Sequence, residues 1–122
     1  MKNSNFHPLS FARSPAVILF ETENENMWSN WQDYIIATRT KKGVFTVVAR
    51  KLGDEYLDGK TKQKWFLIHS VSNVRTPKGF MAAVQECERE LNVDVYWDDV
   101  IASISRLDDE FSIAVQRLID DY

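Results

Sequence analysis

Apolar residues recur along this chain in two rhythms, and the change from one to the other falls near residue 75. Before it, short apolar runs are bounded by polar and turn-forming residues. Ala16–Glu21 (AVILFE) is a continuous apolar run that predicts a strand buried on both faces. Asp33–Thr40 (DYIIATRT) and Val44–Lys51 (VFTVVARK) are rich in β-branched and aromatic residues and flank Lys41-Lys42-Gly43, which predicts a hairpin. Asp58-Gly59 is a second tight-turn signal, because glycine accepts a positive φ without a side-chain clash. The strand after it is expected over Lys64–Val71 (KWFLIHSV). Regular alternation would put Trp65, Leu67, His69 and Val71 on one face, and Phe66, Ile68 and Ser70 on the other.

After residue 75 the spacing becomes helical. Thr76-Pro77 is a helix start, with threonine able to cap and proline suited to the first helical position. Phe80, Val84, Cys87 and Leu91 then line one face, and Asn92–Asp94 ends the helix. Val100, Ile101, Ile104 and Leu107 predict a second helix within Tyr96–Leu107, its first turn carrying Asp98 and Asp99, where acids complement the helix dipole. Asp108 or Asp109 caps a third, with Phe111, Val115, Leu118 and Tyr122 on its buried face.

Strands first and helices afterwards define an α+β class rather than alternating βαβ. The expectation is a single domain over 16–122: a meander of about four antiparallel strands, followed by two or three C-terminal helices on one face. Residues 1–15 read as an arm, with Pro8 and Pro15 discouraging regular structure. Trp28 and Trp31, three apart, suit a short helical turn between the first two strands. The expected core includes Ile18, Phe20, Val47, Leu67, Phe80, Val84 and Leu118.

Composition narrows the class further. At 122 residues the chain suits one domain, and its 44% apolar content is that of a globular protein. One cysteine excludes an internal disulfide. The longest apolar run, Ala16–Phe20, is far short of the roughly 20 residues a membrane helix needs. Residues 1–14 have no apolar stretch of signal-peptide type, so a cytoplasmic protein without membrane association is expected.

The net charge of −3 conceals a segregation of sign. Arg39–Lys64 carries eight bases against three acids, whereas Glu86–Tyr122 carries eleven acids against three bases. Such asymmetry bears on partner choice rather than fold.

Catalytic patterns are sparse. His7 and His69 have no second ligand-type residue at helical spacing, so no metal or cofactor is expected. Cys87 lies on an apolar helical stripe between Glu86 and Glu88, which disfavours a reactive thiolate. The paired carboxylates fall at helix ends, where capping explains them. No glycine-rich phosphate loop or nucleophile elbow is present.

These features point to a non-enzymatic interaction protein. The leading expectation is an immunity- or inhibitor-type protein, bacterial or phage, that neutralises a basic toxin, nuclease or defence enzyme through an acidic helical surface. The partner-binding candidates are Asp98, Asp99, Asp108, Asp109, Glu110, Asp120 and Asp121, with Trp97 as aromatic anchor. The alternative is a nucleic-acid-associated regulator using its basic hairpins, with Arg39, Lys41, Lys42, Arg50, Lys60, Lys62 and Lys64 as candidates. The overall acidity opposes it. A homodimer that sets basic sheet against acidic helices would also account for the asymmetry.

Overall fold

The computed structural model describes residues 7–23 and 31–121. Four strands, β1 (Ala16–Glu23), β2 (Gln32–Arg39), β3 (Phe45–Leu57) and β4 (Lys60–Val74), precede three helices, α1 (Pro77–Leu91), α2 (Trp97–Ser105) and α3 (Asp109–Asp120). The strands form one antiparallel sheet in the order β1-β2-β3-β4. The fold is α+β, a meander followed by three C-terminal helices. The Trp28–Trp31 turn expected from spacing lies largely outside the described residues, as does Tyr122.

Local chemistry sets the turns. Gly43 at φ 77° closes the β2–β3 hairpin. Asp58 and Gly59, both at positive φ, close β3–β4, the pattern of a two-residue turn matched to strand twist. The second hairpin is long. β2 stops pairing at Gln32–Leu52, but β3 and β4 stay paired out to Leu57–Lys60, so residues 53–64 project beyond β2 as a two-stranded ribbon.

Capping sets the helices. The Thr76 hydroxyl accepts a 3.0 Å hydrogen bond from the Gly79 amide, Pro77 is the first residue of α1, and Asn92 ends that helix in the left-handed region. The Glu88 carboxylate accepts a 2.9 Å bond from the Val95 amide, tying the α1–α2 connection back to α1.

The principal core lies between sheet and helices. Ile35, Ala37, Phe45, Val47 and Ala49 face Phe80, Ala83, Val84, Cys87, Val100, Ile104 and Val115, all excluded from solvent. The rings of Phe45, Phe80 and Phe111 meet at its centre, with centroids 4.5–6.0 Å apart, in the range where aromatic pairs add to simple burial. A smaller cluster of Tyr34, Ile36, Val48 and Leu52 occupies the other sheet face, where Leu9, Ile18 and Trp65 pack on it.

Bulges decide which side chains reach which core, and they correct part of the expected one. In β4, Ala49 pairs with His69 but Arg50 pairs with Leu67, leaving Ile68 unopposed. The extra residue turns the alternation over. His69 and Val71 take the helix side, while Trp65 and Leu67 take the outer side; the four do not share a face. Leu67 is 62% exposed and is not in the core. A second extra residue lies between the pairs Phe45–Val74 and Val47–Val71, where Asn73 adopts φ 59°. In β1, Leu19 is unopposed between Ile18 and Phe20. Leu19 and Phe20 pack on the helix-side core, and Ile18 joins the outer cluster instead. Leu118, also expected in the core, is only half-buried. Val47, Phe80 and Val84 are fully buried, as expected.

Candidate functional site

The acidic candidates come from the first turns of α2 and α3 and from the C-terminal end of α3. Asp98 and Asp99 occupy the first turn of α2, Asp109 and Glu110 the first turn of α3, and Asp120 and Asp121 its C-terminal end. All six are exposed, and none is in an ion pair among the described residues. The carboxylate of Asp120 accepts a 2.9 Å bond from the Gln116 amide nitrogen. Acids at helix starts are held by the dipole, at about 0.3–1 kcal/mol each. That local benefit leaves their charge facing water.

The structure does not gather the whole set. Asp108 points inward: one oxygen accepts the Phe111 amide as the α3 cap, and the other accepts from Arg39 Nε, each at 3.1 Å. Asp99 turns toward a groove beside β1, and Asp121 toward a groove shared with α1 residues Lys78 and Gln85. Asp98, Asp109, Glu110 and Asp120 remain as the exposed acids that line neither of these grooves. Trp97, the expected anchor, packs against the principal core. Its neighbour Tyr96 is 74% exposed, and Ile113 of α3 is 47% exposed. Sequence spacing missed both: Tyr96 is an aromatic beside a helix start that reads equally as core or as surface, and Ile113 is an isolated apolar residue on the outer face of α3.

The basic candidates divide as well. Arg39 serves Asp108. Arg50 lies on the outer face between the rings of Phe11 and Trp65, with its guanidinium carbon 4.0 and 5.5 Å from their centroids, and burial lowers its pKa. Lys41 and Lys42 are exposed in the β2–β3 turn. Lys60, Lys62 and Lys64 alternate along the projecting ribbon and share a face with Phe66. Trp31 lies 5.6 Å from Phe66, centroid to centroid. Lys64 pairs with Glu55 at 3.4 Å and Lys51 with Asp33 at 3.3 Å, so this face is partly neutralised.

The nucleophile and base candidates are occupied by packing. Cys87 is fully buried, and desolvation, reinforced by the acids Glu86, Glu90 and Glu88, pushes its thiol up to about 12. His69 presents Nε2 to the Glu86 carboxylate at 3.6 Å, too long for a hydrogen bond. The exposed His7 accepts the Leu9 amide at Nδ1, 3.1 Å, as a turn closure. Among the described residues, no cluster of three or more histidine, cysteine or acidic side chains could hold a metal ion, and no helix is long and apolar enough to cross a membrane.

No family model, curated protein or solved structure matches the chain.

Proposed function

We propose that this chain is a binding module of immunity or inhibitor type, which receives a cationic protein on the outward surface of α2 and α3. One observation carries the reading: Asp98, Asp109, Glu110 and Asp120 are exposed on two consecutive helices and carry no ion pair among the described residues. Exposed Ile113 of α3 supplies an apolar contact that charge alone lacks. Uncompensated surface charge accelerates encounter with an oppositely charged partner and weakens with salt. The test neutralises the set with isosteric amides, and circular dichroism checks that α2 and α3 survive the loss of charge favoured by their dipoles. The wild-type chain and the variant D98N/D109N/E110Q/D120N serve as parallel baits for native-host extract at low and high salt. The reading requires a basic protein held by the wild type, released by salt and absent from the variant's catch. Equal capture by both baits removes it.

The second reading, nucleic-acid association, is favoured by the alignment of Lys60, Lys62 and Lys64 with Phe66 on one ribbon face. Lysines beside stacking aromatics are the means by which single strands are held without sequence preference. Titration with a labelled oligonucleotide at low salt decides it. Binding that K60Q/K62Q abolishes supports this reading, and no binding at about 10⁻⁴ M, the weak end of non-specific affinity, excludes it.

A further inference from the structure

The two edges of the sheet are built differently. Strand β4 has the features that discourage pairing with another chain: two bulges and the alternating lysines at 60, 62 and 64. Strand β1, AVILFETE, has no base, no proline and a single bulge at Leu19, and its charges, Glu21 and Glu23, fall only at its C-terminal end. Its inner side bonds to β2, and among the described residues no other backbone pairs with it. A row of amides and carbonyls at an edge is a template for a further strand.

Helix α2 lies beside this edge, and the two enclose a groove of about 440 Å³. From α2 the groove receives Asp99 and Ser103, from its C-cap Arg106, whose guanidinium donates to the Ser103 hydroxyl at 3.3 Å, and Tyr96 from just before it; β1 adds Glu21 at one end. Asp99, Ser103 and Arg106 stand at positions i, i+4 and i+7, a single stripe of the helix. Asp99 and Arg106 are therefore about 10.5 Å apart along the axis, at 1.5 Å per residue. They do not pair with each other in the chain, and neither is in an ion pair among the described residues. The stripe is thus negative at one end and positive at the other.

That polarity selects the occupant. A two-fold axis perpendicular to β1 sets a second β1 antiparallel to the first and a second α2 antiparallel to the first. Asp99 of each copy then meets Arg106 of the other, the reciprocal contact a two-fold interface requires. We infer that the open β1 edge and the α2 stripe form a homodimer interface, in which two sheets join into one of eight strands and two Asp99–Arg106 pairs set the register. This interface is distinct from the outward acidic set, so either can fail without the other.

The experiment is analytical ultracentrifugation of the full chain from roughly 1 to roughly 200 µM, a span in which mass action reveals a reversible dimer. Wild type, Asp99→Arg, Arg106→Asp and the charge-swapped double variant are compared, with circular dichroism confirming that each is folded. The wild type should approach twice the 14.2 kDa chain mass. Each single reversal places two like-charged pairs across the axis and should weaken the dimer about tenfold or more. The double variant should return to near wild-type affinity, which a merely structural role for either residue would not produce. A wild-type monomer throughout overturns the inference and leaves the edge to a foreign strand. A dimer indifferent to the single reversals, or not restored by the swap, overturns it too.

Discussion

Asp108 and Arg39, 69 residues apart in sequence, are joined by a 3.1 Å bond from the guanidinium Nε to the carboxylate. The second oxygen of the same carboxylate caps α3. One side chain therefore starts a helix and fastens it to the end of β2. Asp108→Ala removes both functions and should cost about 1–2 kcal/mol from the cap, with up to about 1 kcal/mol more from the half-exposed ion pair. Asp108→Asn keeps a capping oxygen and should lose only the smaller part. Urea midpoints for the two variants and Arg39→Ala measure the split. An asparagine variant as unstable as the alanine one would contradict it.

Gly53 and Trp31 make a different kind of contact. A β-carbon added at Gly53 would overlap the six-membered ring of the Trp31 indole. Overpacking of this sort costs about 1–3 kcal/mol. Gly53→Ala should lower the melting temperature accordingly, and Trp31→Ala in the same chain should relieve most of the loss. A double-mutant cycle with no coupling between the two would refute the contact.

Cys87 predicts both a reactivity and a pH dependence. Its thiol is held at about 12 against an ordinary 9.0, so a thiol reagent at pH 8 should label the chain only after denaturation. The sign of the linkage follows from the raised value. Between about 9 and 12 the unfolded thiol has lost its proton while the folded one retains it, so unfolding releases protons and stability falls as pH rises. Below 9 the group contributes no slope. Chemical denaturation at pH 8, 9.5 and 10.5, compared between wild type and Cys87→Ala, isolates this component: the wild type should fall more steeply.

Phe11 rests on Arg50, and Arg50 in turn reaches toward Trp65. This stack, together with Leu9 on the outer cluster, attaches residues 7–15 to the sheet. A partly desolvated cation over an aromatic face contributes about 0.5–2 kcal/mol. Phe11→Ala should accelerate amide exchange at Ser10 and Ala12, whose backbone bonds close the local turns, while the α1 amides keep their protection. Uniform acceleration across the chain would instead indicate global destabilisation.

The legible parts of the fold were those written in local chemistry. Thr76-Pro77 located the start of α1, Asp58-Gly59 located a turn, and the apolar spacing of Phe80, Val84 and Cys87 identified the buried helix face. Leu67 departs from its expected face because that face depends on the unopposed Ile68. A bulge is a property of two paired strands and leaves no mark in the period of one. The ends of β3 and β4 extend past the apolar runs because the ribbon is held by mutual pairing, and its polar residues resemble loop. For the acidic set, charge count was visible but direction was not. The inward turn of Asp108 toward Arg39 is a long-range contact that no spacing rule encodes. The α2 stripe of Asp99 and Arg106 was readable as i, i+7, but its place beside the β1 edge comes from tertiary packing that spacing does not encode.

The unopposed Ile68 also bears on how this chain tolerates changes in length. Because Arg50 already faces Leu67 and Ala49 already faces His69, excising Ile68 would splice two correct neighbours together and leave every later pairing intact. Excision of Val48 from the uninterrupted β2–β3 ladder would instead displace one whole side of the hairpin by a notch, exchanging wet and dry positions. A one-residue deletion is thus absorbed at Ile68 and not at Val48, one strand away.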